Sequence, residues 1–263
     1  MKKGILFLSA IAFGCIACSE TENDIDDAKV RISVETVSQI TDSRASAALP
    51  TSFYIAWSGR QNGQYAFTNS SDTYFREQTL RPGDYEFIAY NLEVENEAYP
   101  IDSKGEAYYK SDVVAGTIES GVNDIALVAK VANAQVNITF DNTLTSIVSD
   151  YIATAFTENN PDRKLTFSES DNIGAWFAAG EKIMLSIQYF YGGETKSFDL
   201  TLPTEIKIGD VTENFDGTLK AGNAYTFNIG SSVADGMLNV TINSTLSDAN
   251  GFVTVDPTID PEI

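Results

Sequence analysis

Apolar and polar residues alternate at every second position along most of this chain, and no other feature constrains its fold as tightly. Val30, Ile32 and Val34 fall on one side of an extended segment, with Arg31, Ser33 and Glu35 on the other. That is the period of a strand with one buried face. It returns in Phe53, Ile55 and Trp57, and again in Ala134, Val136, Ile138 and Phe140. Turn chemistry separates the runs. Gly59-Arg60-Gln61-Asn62-Gly63 carries the second run into 64–67, while in Arg81-Pro82-Gly83-Asp84 the proline presets φ and the glycine accepts a positive one. Gly192-Gly193 joins 182–191 to 195–202 as a hairpin.

The pattern predicts an all-β chain of two tandem β-sandwich domains, 29–129 and 130–247, with a tail over 248–263 that contains Pro257 and Pro261. Further strands are expected at 73–80, 113–118, 124–129, 151–156, 164–167, 223–229 and 237–242. The run 85–91 is apolar on both faces, which places it near the centre of its domain. Residues 93–110 are acidic, contain tyrosines and show no period, so they read as a loop or a ragged edge. One helix is expected over 142–150, with Thr143 as its cap and Leu144, Ile147 and Val148 on one face. Leu80-Arg81-Pro82-Gly83-Asp84-Tyr85-Glu86-Phe87 is echoed by Leu219-Lys220-Ala221-Gly222-Asn223-Ala224-Tyr225-Thr226-Phe227. The echo favours a domain duplication over a chance recurrence of glycine turns before aromatic strands.

The first residues give an address. Lys2 and Lys3 precede an apolar run from Gly4 to Ile16, too short to span a bilayer, which is the build of a secretory signal. The run closes on Gly14-Cys15-Ile16-Ala17-Cys18-Ser19-Glu20, small residues before a cysteine and acidic ones after it. This resembles the lipobox of a bacterial lipoprotein, with residues 1–17 as the signal peptide. Cys18 is the favoured lipidation site and Cys15 the alternative, because bulky Phe13 sits two places before Cys15. Several acyl chains on that cysteine, at about 0.8 kcal/mol per buried CH₂, make a lasting anchor. With Cys15 removed, no disulfide forms within one mature chain. Residues 18–28 are acidic and hold little that could form a core, so they read as a flexible tether. They also resemble the export signal that sends Bacteroidota lipoproteins to the exterior face of the outer membrane. A solvated linker on a periplasmic lipoprotein is the alternative.

Composition narrows the chemistry. A formal net charge of −20 repels nucleic acid and anionic lipid heads, so no nucleic-acid partner is expected. The absence of histidine removes Ser-His-Asp and Cys-His catalysis and imidazole-based zinc sites. Asp24, Asp26 and Asp27 supply oxygen ligands of the kind calcium needs, but lack the glycine and distal glutamate of a calcium loop. Neither a metal nor any other cofactor is expected. Paired carboxylates could do acid/base work on a glycan without histidine, but no local motif singles out two of them, and the chain is expected not to be an enzyme. Glycan contact would need outward rings. Tyr108-Tyr109, Trp176 and Tyr189-Phe190-Tyr191 are the candidates, because neighbouring strand residues point to opposite faces unless a second layer covers both.

The lipobox, the acidic tether, the run Leu80-Arg81-Pro82-Gly83-Asp84-Tyr85-Glu86-Phe87-Ile88-Ala89 and the run Lys130-Val131-Ala132-Asn133-Ala134-Gln135-Val136 together resemble fimbrillin-like lipoproteins of Bacteroidota. The chain is more similar still to a neighbouring lipoprotein family catalogued only as a domain of unknown function. The resemblance implies transthyretin-like sandwiches in tandem. It also implies that polymerising members are trimmed after an arginine, so that a donor strand replaces the first strand. Arg44, in Asp42-Ser43-Arg44-Ala45-Ser46, stands where such a cut would fall, and an exposed loop arginine is the other reading. The expectation is an outer-membrane, lipid-anchored surface protein with a structural, adhesive or fimbria-like role and pilin-like partners. The runner-up is a carbohydrate-binding surface lipoprotein of a glycan-uptake system.

Overall fold

The computed structural model describes residues 27–36, 50, 52–68, 73–92, 103–208, 211–234 and 237–248. The first half is built from β1 (Ala28–Thr36), β2 (Ser52–Gly59), β3 (Gly63–Thr68), β4 (Thr73–Leu80), β5 (Gly83–Tyr90), β6 (Tyr109–Ser111), β7 (Val114–Ile118) and β8 (Val122–Val131). These form one sheet in the order β3-β2-β5-β6-β8-β1-β4, with β7 also paired to β5. The outermost strands of that order, β3 and β4, come back within 8 Å of each other. The sheet therefore curls around its own apolar face, and this explains how a single sheet encloses a core. Val30, Ile32, Val34, Phe53, Ile55, Phe87 and Leu127 are fully buried in it.

The second half comprises β9 (Asn133–Phe140), a short helix α1 (Asn142–Thr145), β10 (Ser149–Thr157), β11 (Asn160–Phe167), β12 (Ala175–Ala178), β13 (Ile183–Tyr191), β14 (Glu194–Leu200), β15 (Glu205–Ile208), β16 (Val211–Asn214), β17 (Asn223–Ala234) and β18 (Met237–Asp248). A four-stranded sheet, β11-β10-β13-β14, faces a six-stranded one, β12-β9-β17-β18-β15-β16, across a second core. Ile138, Phe167, Phe177, Leu219 and Phe227 lie at its centre, all without exposed surface. The two cores adjoin. Trp176 on β12 and Ala224 on β17 belong to the first cluster although their strands serve the second sheet pair.

The helix begins at Asn142 as the sequence indicates but ends at Thr145 instead of running to 150. Asp141, not Thr143, is its N-cap, its carboxylate accepting from the Thr143 N–H at 2.8 Å. Leu144 and Val148 are buried as expected, but Ile147 is 39% exposed, because the helix ends at Thr145 and does not carry it onto the inward face. The Gly192-Gly193 turn takes φ of 62° and 87°, left-handed at both positions as a two-residue hairpin requires, and β13 and β14 pair from Tyr191↔Glu194 to Leu185↔Leu200. The echoed passages share a local device. The Tyr85 hydroxyl donates to the Arg81 carbonyl at 2.9 Å, and the Tyr225 hydroxyl accepts from the Lys220 N–H at 2.9 Å. Each ring is tied back over its own turn. Their strands differ in pairing, since β5 has antiparallel neighbours and β17 runs parallel to β9.

Candidate assembly site

β1 holds the least ordinary position in the first sheet. It lies between β8, to which it runs parallel from Lys29↔Val122 to Thr36↔Ala129, and β4, to which it runs antiparallel from Ala28↔Leu80 to Glu35↔Thr73. Its backbone is thus paired on both edges. Ala28, Val30, Ile32 and Val34 have no exposed surface, whereas Lys29, Arg31 and Glu35 face solvent. Burying a Val or Ile side chain stabilises by about 1.5–3 kcal/mol, so Val30, Ile32 and Val34 contribute roughly 5–9 kcal/mol. That is comparable with the whole net stability of a typical domain, about 5–15 kcal/mol. The outward ion pairs, Lys29–Glu77 at 3.4 Å and Arg31–Glu77 at 3.7 Å, are largely exposed and add at most about 1 kcal/mol each.

If β1 were withdrawn, β8 and β4 would each present an unpaired edge along an apolar trough whose floor includes Leu127, Phe53 and Phe87. Such an edge is a template for another strand of alternating apolar pattern. At its amino end β1 is pinned by the Lys29 N–H donating to the Gly121 carbonyl at 2.7 Å. At its carboxyl end the sequence runs on through residues 37–49, which contain Arg44 and lie outside the described residues. Cys15, Cys18, the signal, most of the tether and most of the tail also lie outside them.

The rings singled out for glycan contact are placed otherwise than expected. Tyr108, Tyr109, Trp176 and Tyr189 are only 4%, 2%, 4% and 3% exposed. In the Tyr108-Tyr109 pair both residues are covered, because the segment enters the junction between the halves. The Tyr108 N–H donates to Asn133 Oδ1 at 3.1 Å, and the Tyr108 carbonyl accepts from the Ala132 N–H at 2.7 Å. Trp176 exchanges two backbone hydrogen bonds with Ser103, at 2.7 and 3.0 Å, which seats its indole in the first core. Tyr189 packs edge-on against Phe198 with centroids 5.8 Å apart, while its neighbour Phe190 is 40% exposed. Tyr191 is partly buried against the second core. A stacked pair that the sequence reading passed over, Tyr54 and Tyr90, stands half-exposed on the outer face of the first sheet. Its signal was the outward half of the alternations in β2 and β5.

Two carboxylates, Asp141 and Asp216, serve as turn acceptors. Backbone and side-chain hydrogen bonds from Thr143 hold the Asp141 carboxyl below the usual aspartate range, and those from Thr218 do the same for Asp216. Both shifts run opposite to what a general acid at neutral pH requires. The Tyr151 hydroxyl is pushed up, first by burial and then by the Glu169 carboxylate, with which it shares a 3.2 Å hydrogen bond. Among the described residues, no three His, Cys, Asp or Glu side chains gather where they could hold a metal ion.

Comparison with known proteins adds a fold and a family. A candidate cell adhesion protein from Parabacteroides distasonis ATCC 8503 superposes with a TM-score of 0.56 at 9% identity, over 85% of this chain and 99% of that one. A fimbrilin from Porphyromonas gingivalis W83 does so with a TM-score of 0.56 at 10% identity, over 85% of this chain and 98% of that one. At such identities the likeness is one of fold. No curated protein matches the sequence. A family model described as Domain of unknown function (DUF4493) matches residues 28–262, from the first residue of β1 to beyond the end of β18, and the chain belongs to that family.

Proposed function

We propose that this chain is a non-catalytic surface protein of the outer membrane, anchored by lipid at Cys18 and built of two tandem β-sandwich domains. It works by contact, as a fimbria-like subunit or adhesive module. The observation that carries the reading is the placement of β1: a strand paired on both edges, with four side chains fully buried, followed directly by the stretch that contains Arg44. A cut after Arg44 would leave β1 held by non-covalent forces alone, and a strand of matching alternation from another subunit could take its place. The fold shared with a fimbrilin supports this role. The two separate apolar cores support the tandem arrangement. The face of the outer membrane is the exterior one, on the strength of the acidic residues after Cys18.

Fractionation and limited proteolysis test the proposal together. Cys18→Ala should move the chain out of the outer-membrane fraction, and an arginine-specific protease should cut at Arg44 and yield detergent-resistant ladders of oligomers. Arg44→Ala should suppress the ladders. Ladders that form equally well with Arg44→Ala, or a Cys18→Ala chain that stays in the membrane with Cys15 unmodified, would refute it.

A further inference from the structure

The outward face of the first sheet carries a row of four side chains in unbroken cross-strand register: Tyr54 on β2 opposite Tyr90 on β5, Tyr90 opposite Lys110 on β6, and Lys110 opposite Lys130 on β8. Neighbouring strands are about 4.8 Å apart, so the row is about 14 Å long, the length of two to three sugar rings. The two tyrosine rings stack, with centroids 5.5 Å apart and planes 18° from parallel. Stacking holds both rings in place, so a ligand packing on them costs little side-chain freedom. We propose that this row binds an oligosaccharide bearing a single carboxylate or sulfate, its apolar ring face against the tyrosine pair and its anionic group on the two lysines.

The lysines carry the argument. Like charges directly opposite each other in a sheet are destabilising, by roughly 0.2–1 kcal/mol. Lys110 and Lys130 are both exposed and line one cleft of about 380 Å³, and neither is within 4 Å of a carboxylate among the described residues. Asp112 lines the same cleft without forming an ion pair with either. Along the outward side of β5 the nearest acid is Glu86, four residues and about 13 Å from Tyr90. Along β8 it is Asp124, six residues and about 20 Å from Lys130, while on the adjacent β1 the exposed Glu35, paired to Val128, sits on the diagonal about 7–8 Å from Lys130 without forming an ion pair with it. In a chain of formal net charge −20, two facing lysines with no ion-pair partner among the described residues stand out. The same net charge repels densely charged polymers such as nucleic acid or heparin, whose binding needs many cationic contacts. What fits is a sparsely charged ligand with an apolar flank, and a singly acidic sugar has both.

This site is independent of strand exchange, because its residues lie on β2, β5, β6 and β8 and none on β1. The purified full chain is tested on an array of uronate-, sialate- and sulfate-bearing oligosaccharides printed beside their neutral counterparts and heparin. Binding should be confined to singly acidic glycans. Isothermal titration with the best of them should show at least a tenfold loss for Lys110→Glu/Lys130→Glu, near-retention for Lys110→Arg/Lys130→Arg, and a loss of about two- to tenfold for Tyr54→Ala. Circular dichroism should show the same melting midpoint for the exposed lysine variants. A blank array, equal binding of neutral counterparts, preference for heparin, or indifference to the lysine charge reversal would each overturn the proposal.

Discussion

Replacing Ile32 by Ala tests the placement of β1 in the middle of a sheet instead of at its rim. Ile32 has no exposed surface and sits in the first core at the centre of β1, opposite Arg76 on β4 and Ile125 on β8. Truncating a buried isoleucine to alanine costs about 2–5 kcal/mol, the transfer term plus the cavity left behind. Its neighbour Arg31 faces solvent with 48% of its side chain exposed, and its 3.7 Å pair with Glu77 makes Arg31→Ala a loss of at most about 1 kcal/mol. Urea unfolding should therefore separate adjacent positions on one strand by a factor of two or more. The chain supplies its own probe: it has two tryptophans, and both Trp57 and Trp176 pack in the first core. Trp57, on a strand of the first sheet, reports the unfolding of that core, while Trp176, on β12 of the second sheet pair, responds to either half, so a transition seen by both is needed for a single two-state ΔG. Equal effects of Ile32→Ala and Arg31→Ala, or an Ile32→Ala cost below about 1 kcal/mol, would show that β1 is not a core strand.

Other substitutions probe the second half. The hairpin turn at Gly192-Gly193 has positive φ at both positions. Gly192→Asn should leave the melting midpoint nearly unchanged, because Asn-Gly suits such turns, while Gly193→Val should cost about 1–2 kcal/mol of stability and so lower the midpoint in a thermal melt. Asp141 is held below the usual aspartate range by hydrogen bonds from Thr143 that exist only in the folded chain. A depressed folded pKa gives stabilisation that is complete above the unfolded value, near 3.9, and that fades as pH falls through the folded one. Asp141→Asn keeps a capping acceptor but removes that acid dependence, so the wild-type and variant melting curves should converge as pH drops below about 4. A gap that is constant or widens toward low pH would contradict the cap.

Much of the fold was legible because alternation and turn chemistry are local. β1, β2, β9 and the β13–β14 hairpin follow from side chains two apart and from glycines where the backbone needs them, whereas β5, read as apolar on both faces, buries only one, with Tyr85, Phe87 and Ala89 covered and Glu86 exposed. Where alternation fails, so does the reading. β12 is Ala175-Trp176-Phe177-Ala178 with its first three residues all buried, because Trp176 enters one core and Phe177 the other; a segment covered on both sides shows no period. β16 is exposed at every residue and so carries no apolar signal. The burial of the candidate glycan rings was hidden for a related reason. Sequence shows which face of a strand a ring lies on, but only tertiary packing decides whether another layer covers that face, and Tyr108, Trp176 and Tyr189 are all covered. The order β8-β1-β4 was beyond local reasoning, since it joins segments some ninety residues apart in the chain, roughly the separation of Val30 and Asn123. With it went the clearest structural argument for assembly.

A disulfide that locks β1 to its neighbour tests the central claim most directly. Ser33 and Ala126 are register partners on β1 and β8 with side chains directed outward, and adjacent-strand spacing falls within the Cα separation that a disulfide spans. A Ser33→Cys/Ala126→Cys chain, with Cys15 and Cys18 replaced by Ala, should be cut at Arg44 by an arginine-specific protease yet remain monomeric by size-exclusion chromatography while oxidised. On reduction it should form oligomers and release the fragment that contains β1. Oligomers of the oxidised, cut chain with β1 still attached would contradict the account.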